Sequence, residues 1–340
     1  MRPKINVGLM AYGMSGKVFH APFVHQNDGF NFVAVTERTK KQAAIDYPNV
    51  ISYNTIDELI ADENIDLIII NTPNYTHYDY AKKCLQAGKH ILVEKPFTAT
   101  VAQAKELFAL AKELGKKAFI YQNRRFDSGF KITKEIIESG KLGKLTEVYF
   151  RFDRYRNEIG PKGFKEDPSF EASGLSYDLG PHLLDQAIAL FGKPQKFYKV
   201  LANNRTGSKV DDYFFIHLAY PNQLNVYLTA TMLAAAIPPA FVVNGSLGAF
   251  AKNHGDVQES QLLKGMKPAD EGYGIEASQD AGKLTLVTPN GGREVATLTS
   301  PQGNYGEIFE LVYQSIKNNQ PFPITNEEII AQLEILESAC

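Results

Sequence analysis

The sequence predicts a two-domain protein: an α/β domain with a doubly wound parallel sheet, then an α+β domain built on a large, open, mainly antiparallel sheet. Three observations predict it. Short, near-continuous apolar runs alternate with helix-length amphipathic stretches as far as residue 121, and a Gly-rich turn follows the first of them. Beyond residue 122 strand-like segments follow one another with the helices set apart. A chain of 340 residues also exceeds the usual single core of roughly 100 to 200, which fits a division into 1–121 and 122–340.

In the first part "INVGLM", "FNFVAVT", "IDLIIINT", "HILVEKP" and "KAFIYQ" read as strands. They are apolar on both faces, so helices such as "TVAQAKELFALAKELG" must cover both sides, and right-handed crossovers then wind the sheet doubly. The second part opens with a helix at about 128–139 and the strand-like "KLTEVYFRFDRYR", followed by a polar loop over 156–175. A helix ending in "ALFG" comes next, then alternating segments "DYFFIHLAY", "QLNVYLTATM" and "KLTLVT" with a turn at "PNGG", and two closing helices. One face of so large an open sheet needs cover, from helices or from a second subunit. No internal repeat or low-complexity tract is present.

Lys plus Arg number 36 against 38 Asp plus Glu, a formal charge of −2 with no long block of one sign. That balance argues against a nucleic-acid partner, whose binding rests on many phosphate contacts. No apolar run approaches the roughly 20 residues that cross a bilayer. The start, "MRPKINVGLM", enters a strand-like segment at once, without a signal-peptide core, so an unexported cytoplasmic protein is expected. Cys84 and Cys340 lie far apart and outside any CxxC or Cys/His cluster. Neither a disulfide scaffold nor a metal site is expected.

"GLMAYGMSG", residues 8–16, stands where a Gly-rich turn lets a pyrophosphate approach backbone N–H groups and a positive helix end. Read as G-x-G-x-x-G, it puts Ala11, Gly13 and Gly16 at the three Gly positions, so the first carries a methyl group. The next strand ends "VAVTERTKK". An acid there suits the ribose of NAD and an arginine the 2′-phosphate of NADP; Glu37 and Arg38 supply both. If the strand persists, Thr36, Arg38 and Lys40 share a side, a set that favours NADP and leaves NAD possible.

"VEKPF", residues 93–97, sets Glu94, Lys95 and Pro96 against an apolar strand. If "HILV" is the fifth parallel strand, these residues emerge at the carboxyl edge of the sheet, where open α/β sheets bind ligands. Lys95 can then hold charge on a substrate oxygen while Pro96 fixes the backbone that aims it. In "GLSYDLGPHLLDQAIALFG", Asp178, His182 and Asp185 are spaced i, i+4, i+7 and share one face of a continuous helix. A His beside carboxylates can serve as an acid-base group. Pro181 favours the first turn of a helix, so Asp178 at or before an N-cap is the other reading.

Taken together, "GLMAYGMSG", "NTPNYTHYDYAKKCLQAGKHILVEKPF", "YQNRRFD" and "YDLGPHLLDQAIALFG" resemble the Gfo/Idh/MocA family of NAD(P)-dependent oxidoreductases over nearly the whole chain. "YGMSGKVFHAPF", "YQNRRFDSGF" and "FDRYR" are most similar to its NADP-dependent scyllo-inositol dehydrogenase branch. The resemblance implies an N-terminal Rossmann domain, a C-terminal domain for substrate, and homodimers or homotetramers formed through the C-terminal sheet. It implies Lys95 and His182 as catalytic residues, with Asp178 beside His182. It places Gly8, Tyr12, Gly13, Ser15 and Gly16 at the phosphate turn, Glu37 and Arg38 at the adenosine end, and Thr72, Pro73 and His77 in a loop over the cofactor. Glu94 and Lys95 border the cofactor, Gln122 and Asn123 lie beside the nicotinamide, and Arg125 and Tyr155 touch substrate. Ala11 departs from the family glycine, and Glu37 occupies a position where NAD-using relatives carry an acid.

The implied reaction removes a hydroxyl proton through His182, oriented by Asp178, while Lys95 steadies the oxygen and hydride passes from a polyol or cyclic sugar bound between the domains. Two alternatives share the fold: a glycoside hydrolase that retains its cofactor, and a non-catalytic sensor of dinucleotide and sugar.

Overall fold

The computed structural model describes residues 2–160, 163–253 and 255–339; Cys340 lies outside them. Two compact units are formed, one from residues 1–123, 259–273 and 305–330, the other from 124–258, 274–304 and 331–340.

The first unit holds a six-stranded parallel sheet in the order β3-β2-β1-β4-β5-β6. Its strands are β1 (Ile5–Leu9), β2 (Phe30–Thr36), β3 (Ile51–Tyr53), β4 (Leu67–Ile70), β5 (His90–Val93) and β6 (Ala118–Ile120). Three residues with no full apolar run make β3, which is why the sequence pattern passes over it. Every residue of β4 is buried, as its unbroken aliphatic run requires of a central strand covered on both faces. The strand order reverses between β1 and β4, which puts the crevice of a doubly wound sheet at their carboxyl ends.

The covering helices are α1 (Ala21–Gln26), α2 (Ala43–Asp46), α3 (Ile56–Ala61), α4 (His77–Gln86) and α5 (Val101–Glu113). Capping boxes start two of them: Thr55 with Glu58 before α3, and Thr100 with Gln103 before α5. Each satisfies backbone donors that a helix start leaves open. Ala104, Leu107, Phe108 and Ala111 form the buried stripe of α5, at the i, i+3, i+4, i+7 spacing of an amphipathic helix.

In the second unit eight strands run β14-β13-β12-β11-β7-β10-β9-β8. They are β7 (Leu145–Arg151), β8 (Lys196–Ala202), β9 (Tyr213–Ala219), β10 (Asn225–Thr231), β11 (Phe241–Gly245), β12 (Gly248–Lys252), β13 (Gly282–Val287) and β14 (Arg293–Leu298). All neighbours are antiparallel except β7 and β10. Its helices are α6 (Ser128–Glu138), α7 (Gly163–Glu166), α8 (Leu175–Asp178) and α9 (Gly180–Phe191). Strict alternation puts Val148, Phe150, Phe214, Ile216, Leu218, Val226 and Leu228 in the core. The opposite face carries half-exposed rings: Tyr227 stacks on Tyr149 at 4.8 Å, His217 at 4.9 Å and Phe215 at 5.8 Å between centroids.

Three later helices complete the chain: α10 (Gln258–Leu263), α11 (Gly306–Lys317) and α12 (Asn326–Glu337). α11 packs in the first unit, where Phe309 stacks on Phe23 at 5.7 Å and meets Tyr121 at 5.6 Å. Arg2 pairs with Glu310 at 2.9 Å and lies over the Tyr313 ring at 4.1 Å, tying the chain start to the same helix.

Candidate active site

The Gly-rich turn is built as a tight corner. A Cβ on Gly16 would lie 2.0 Å from the Ala11 carbonyl oxygen, so only glycine lets the helix start approach the first strand end. Ala11 is held from the other side by Asn71, whose amide accepts from Ala11 N at 3.0 Å and donates to Ala11 O at 2.8 Å. That clamp lets alanine stand where glycine is usual. Gly13 is exposed, and a Cβ there would meet nothing within 4 Å, leaving open space over the turn. Gly8 lies inside β1, where a Cβ would crowd Ile65 and Leu59, so this glycine packs the core instead of lining the turn. Tyr12 turns away too: its hydroxyl donates to Asp46 at 2.7 Å, and burial raises its pKa. Lys17 completes that contact at 2.9 Å from Asp46.

At the end of β2 the two candidate cofactor readers part company. β2 stops at Thr36, so the alternation expected to carry Thr36, Arg38 and Lys40 along one side ends there. Glu37 is 8 % exposed, and its carboxylate accepts from Gln42 N at 2.8 Å, Ala43 N at 3.1 Å and Ser52 Oγ at 3.0 Å. The acid is thereby used to start α2. Arg38 is exposed.

The loop after β4 and the corner after β5 are joined by His77. Fully buried, its ring lies 2.8 Å from Pro96 O through Nδ1 and 2.9 Å from Thr72 O through Nε2. Burial pushes its pKa down, although both carbonyls pull the other way. His77 is therefore an internal strut between Thr72 and Pro96. Thr72 and Thr76 share a hydroxyl contact of 2.6 Å, and Thr76 donates to Pro73 O at 2.7 Å, which fixes the Thr72–Pro73 turn.

Glu94 follows β5 at the carboxyl edge, as the sequence position requires, and the Lys95–Pro96 peptide is cis. Its carboxylate accepts from His20 Nε2 at 2.8 Å and Ser15 Oγ at 3.1 Å. Burial opposes its charge, but the His20 bond and the nearby Lys95 ammonium outweigh burial and hold the Glu94 pKa at about 2. Lys95 itself is partly exposed. Gln122 and Asn123 follow β6 and are both buried, at 0 % and 7 % exposure. His20 and Asn71 are the contributors here that the sequence pattern did not single out; both are bound to motif residues, which only the folded chain reveals.

In the second unit Asp178 closes α8 and His182 lies in the first turn of α9, with Pro181 beside it. Leu179, at φ −110° and ψ −25°, separates the helices, so Asp178 precedes α9, the second of the two readings, while His182 and Asp185 remain together on α9. Asp185 is 1 % exposed and takes a two-pronged bond from Arg125 at 2.7 and 2.9 Å, with Gln332 at 2.9 Å. Arg125, expected at the substrate, is thus paired with a buried carboxylate. Tyr155 is 62 % exposed. The Phe152 ring stacks 6.5 Å from His182, with Arg124 and Arg154 against it at 5.3 and 4.8 Å.

The 156–175 loop supplies a group no motif announced: Lys165 on α7, whose ammonium meets Asp178 at 2.5 Å. Buried Arg205 anchors this loop, donating to Glu166 at 2.8 Å, Asp212 at 3.1 Å and Glu158 O at 3.2 Å. Among the described residues no cluster of three or more His, Cys, Asp or Glu could hold a metal ion, and no helix is long and apolar enough to cross a membrane.

A glycine corner that only Gly16 can make, open space over Gly13, and a buried polar cluster at the carboxyl edge of a doubly wound sheet fit a dinucleotide. These features define a protein of the NAD(P)-dependent oxidoreductase class. Residues 5–122 match an oxidoreductase family with an NAD-binding Rossmann fold, and residues 130–251 match the GFO/IDH/MocA C-terminal domain. The chain is 38 % identical over 337 residues to the uncharacterized oxidoreductase YdgJ of Escherichia coli, covering 99 % of this chain and 96 % of that protein. It is 32 % identical over 335 residues to the scyllo-inositol 2-dehydrogenase (NADP(+)) IolW of Bacillus subtilis, covering 98 % and 92 %. The crystal structure of an oxidoreductase from Bacillus cereus superposes with a TM-score of 0.91 at 34 % identity, covering 98 % of this chain and 95 % of that one. The chain belongs to the GFO/IDH/MocA oxidoreductase family.

Proposed function

We propose that the protein transfers a hydride between NADP(H) and a CH–OH carbon of a polyol or cyclic sugar, with an inositol such as scyllo-inositol first among them. Full-length similarity to the NADP-dependent scyllo-inositol 2-dehydrogenase is the observation that carries this reading. Gly13 and Ser15 hold the dinucleotide at the turn, Thr72 and Pro73 line it, and Arg38 reads its adenosine end. The nicotinamide supplies the hydride acceptor or donor. His182 moves the hydroxyl proton, Asp178 fixes its charge, and Lys95 donates a charge-assisted hydrogen bond to the reacting oxygen. The experiment is nicotinamide absorbance against time with inositol isomers, aldoses and their ketones, under NADP and under NAD. Turnover of an inositol supports the reading, and silence across the panel with bound cofactor removes it.

The NADP preference rests on Glu37, whose three donors come from its own unit, and on the exposure of Arg38. A 2′-phosphate beside an exposed guanidinium gains charge-assisted bonds that a ribose hydroxyl cannot match. Arg38→Ala should weaken NADPH about 10- to 100-fold and leave NADH nearly unchanged, as read by fluorescence titration. Equal losses for both cofactors would remove the assignment.

The protein is further proposed to form a homodimer or homotetramer through the ringed face of the eight-stranded sheet. Tyr149, Phe215, His217 and Tyr227 supply stacked, half-exposed aromatic surface there, the kind enriched at interfaces. Tyr227→Glu should yield monomers by light scattering; an unchanged mass would place the interface elsewhere.

A further inference from the structure

His20 takes no part in the chemistry above, yet it is 0 % exposed and closes the π-helical turn Gly16–His20 that follows the Gly-rich corner. Such widened turns concentrate at functional sites because they re-aim side chains. A carboxylate only accepts, so the 2.8 Å contact with Glu94 requires a proton on His20 Nε2. Among the described residues Nδ1 has no hydrogen-bond partner. The Tyr121 ring at 4.4 Å and the Phe309 ring at 6.2 Å pack against the imidazole. A phenyl ring would fill this space without stranding a buried nitrogen, so packing alone does not account for histidine here.

The oxygen that His20 holds, Glu94 Oε1, is also the one Ser15 reaches from the Gly-rich turn, while Glu94 Oε2 accepts from Lys95 N at 3.3 Å. Ser15 has one proton to give. If it serves an anionic ligand of the turn, Glu94 loses that donor and keeps its anchor in His20. The carboxylate then stays beside the Lys95 ammonium whether or not the turn is occupied.

We propose that His20 is the positioning residue of the Glu94-Lys95-Pro96 corner: it fixes the Glu94 carboxylate, and through that carboxylate links the Gly-rich turn to Lys95. The link rests on the proposed role of Lys95 in hydride transfer. Its consequence is that cofactor affinity and the state of the Lys95 ammonium depend on the one bond between His20 and Glu94.

Trace acetylation of the purified protein across pH, read at the Lys95 peptide by mass spectrometry, reports that state without any substrate. Fluorescence titration with NADPH reports the turn. His20→Phe keeps the ring and drops the donor; it should lower the labelling midpoint of Lys95 by about one pH unit and raise the NADPH Kd about fivefold. His20→Gln retains an N–H donor and should lie closer to the wild type, while Glu94→Gln should reproduce His20→Phe with no further change in the double variant. Labelling of Lys95 in His20→Phe that matches the wild type would overturn the proposal, as would equal shifts in His20→Phe and His20→Gln, which indicate packing alone. The expected His20→Phe shifts together with a wild-type protein that oxidises no polyol would support this link and remove the substrate assignment. Failure to bind either NADPH or NADH would overturn both.

Discussion

Lys95→Met is expected to lower kcat with the best polyol substrate by about 10²- to 10³-fold, the cost of removing one preorganised donor from a developing oxyanion. NADPH affinity should stay within about threefold, because an interaction made mainly in the transition state affects kcat without weakening ground-state binding. Methionine keeps most of the aliphatic stem, so packing around the corner changes little. The half-buried carboxylate of Glu94 remains, held by His20 and Ser15. Lys95→Arg restores the charge but spreads it over a planar fork, so it should recover only part of the rate. Steady-state and single-turnover kinetics beside a binding titration separate these effects. Near-normal turnover in Lys95→Met, with cofactor bound, would remove Lys95 from the chemistry.

The parallel sheet was legible because β4 and β5 are unbroken aliphatic runs of the kind that only burial on both faces tolerates. The fold class followed from that alternation, and the comparisons bear it out. β3 escaped notice because Ile51, Ser52 and Tyr53 present no apolar run. β8 and β14 escaped for a different reason: edge strands of a sheet, their residues are largely exposed and their patterns mixed.

The candidate site was legible where a residue type is unusual for its position, as with a charged pair and a proline after an apolar strand. It was illegible where the meaning of a residue depends on a distant partner. Glu37 reads as a ribose acceptor until Ser52, Gln42 and Ala43 are seen around its carboxylate. Arg125 reads as a substrate contact until Asp185 is found against it, 60 positions on. Asp178 shares a face with His182 only on a continuous helix, and the break at Leu179 leaves Asp178 on α8 while His182 and Asp185 stay together on α9. No residue-by-residue pattern singles out His20 or Lys165; their pairing with Glu94 and Asp178 appears only in the folded chain.

Arg205→Met is expected to destabilise the protein by about 3 to 5 kcal/mol, the usual cost of breaking a buried ion pair from one side. The Arg205 side chain is 2 % exposed and that of its partner Asp212 1 %, so water cannot replace the lost bond. Asp212 keeps two backbone donors, Asn204 N at 2.7 Å and Arg205 N at 2.8 Å, and these place the expectation at the lower end of the range. Glu166, with 17 % of its side chain exposed, loses its guanidinium partner but can hydrate. The local effect exceeds the global one in interest. Arg205 is bound to both Glu158 O and Glu166, so it spans the loop that carries Lys165 to Asp178. Freeing that span should raise the KM for polyol more than it lowers kcat, since loop order is then drawn from binding energy. Guanidinium unfolding reads the first effect and steady-state kinetics the second. A variant with wild-type unfolding midpoint and wild-type KM would show that the loop is held by its own turns, through Gly174 N to Lys165 O and Phe170 N to Asp167 O, and not by Arg205.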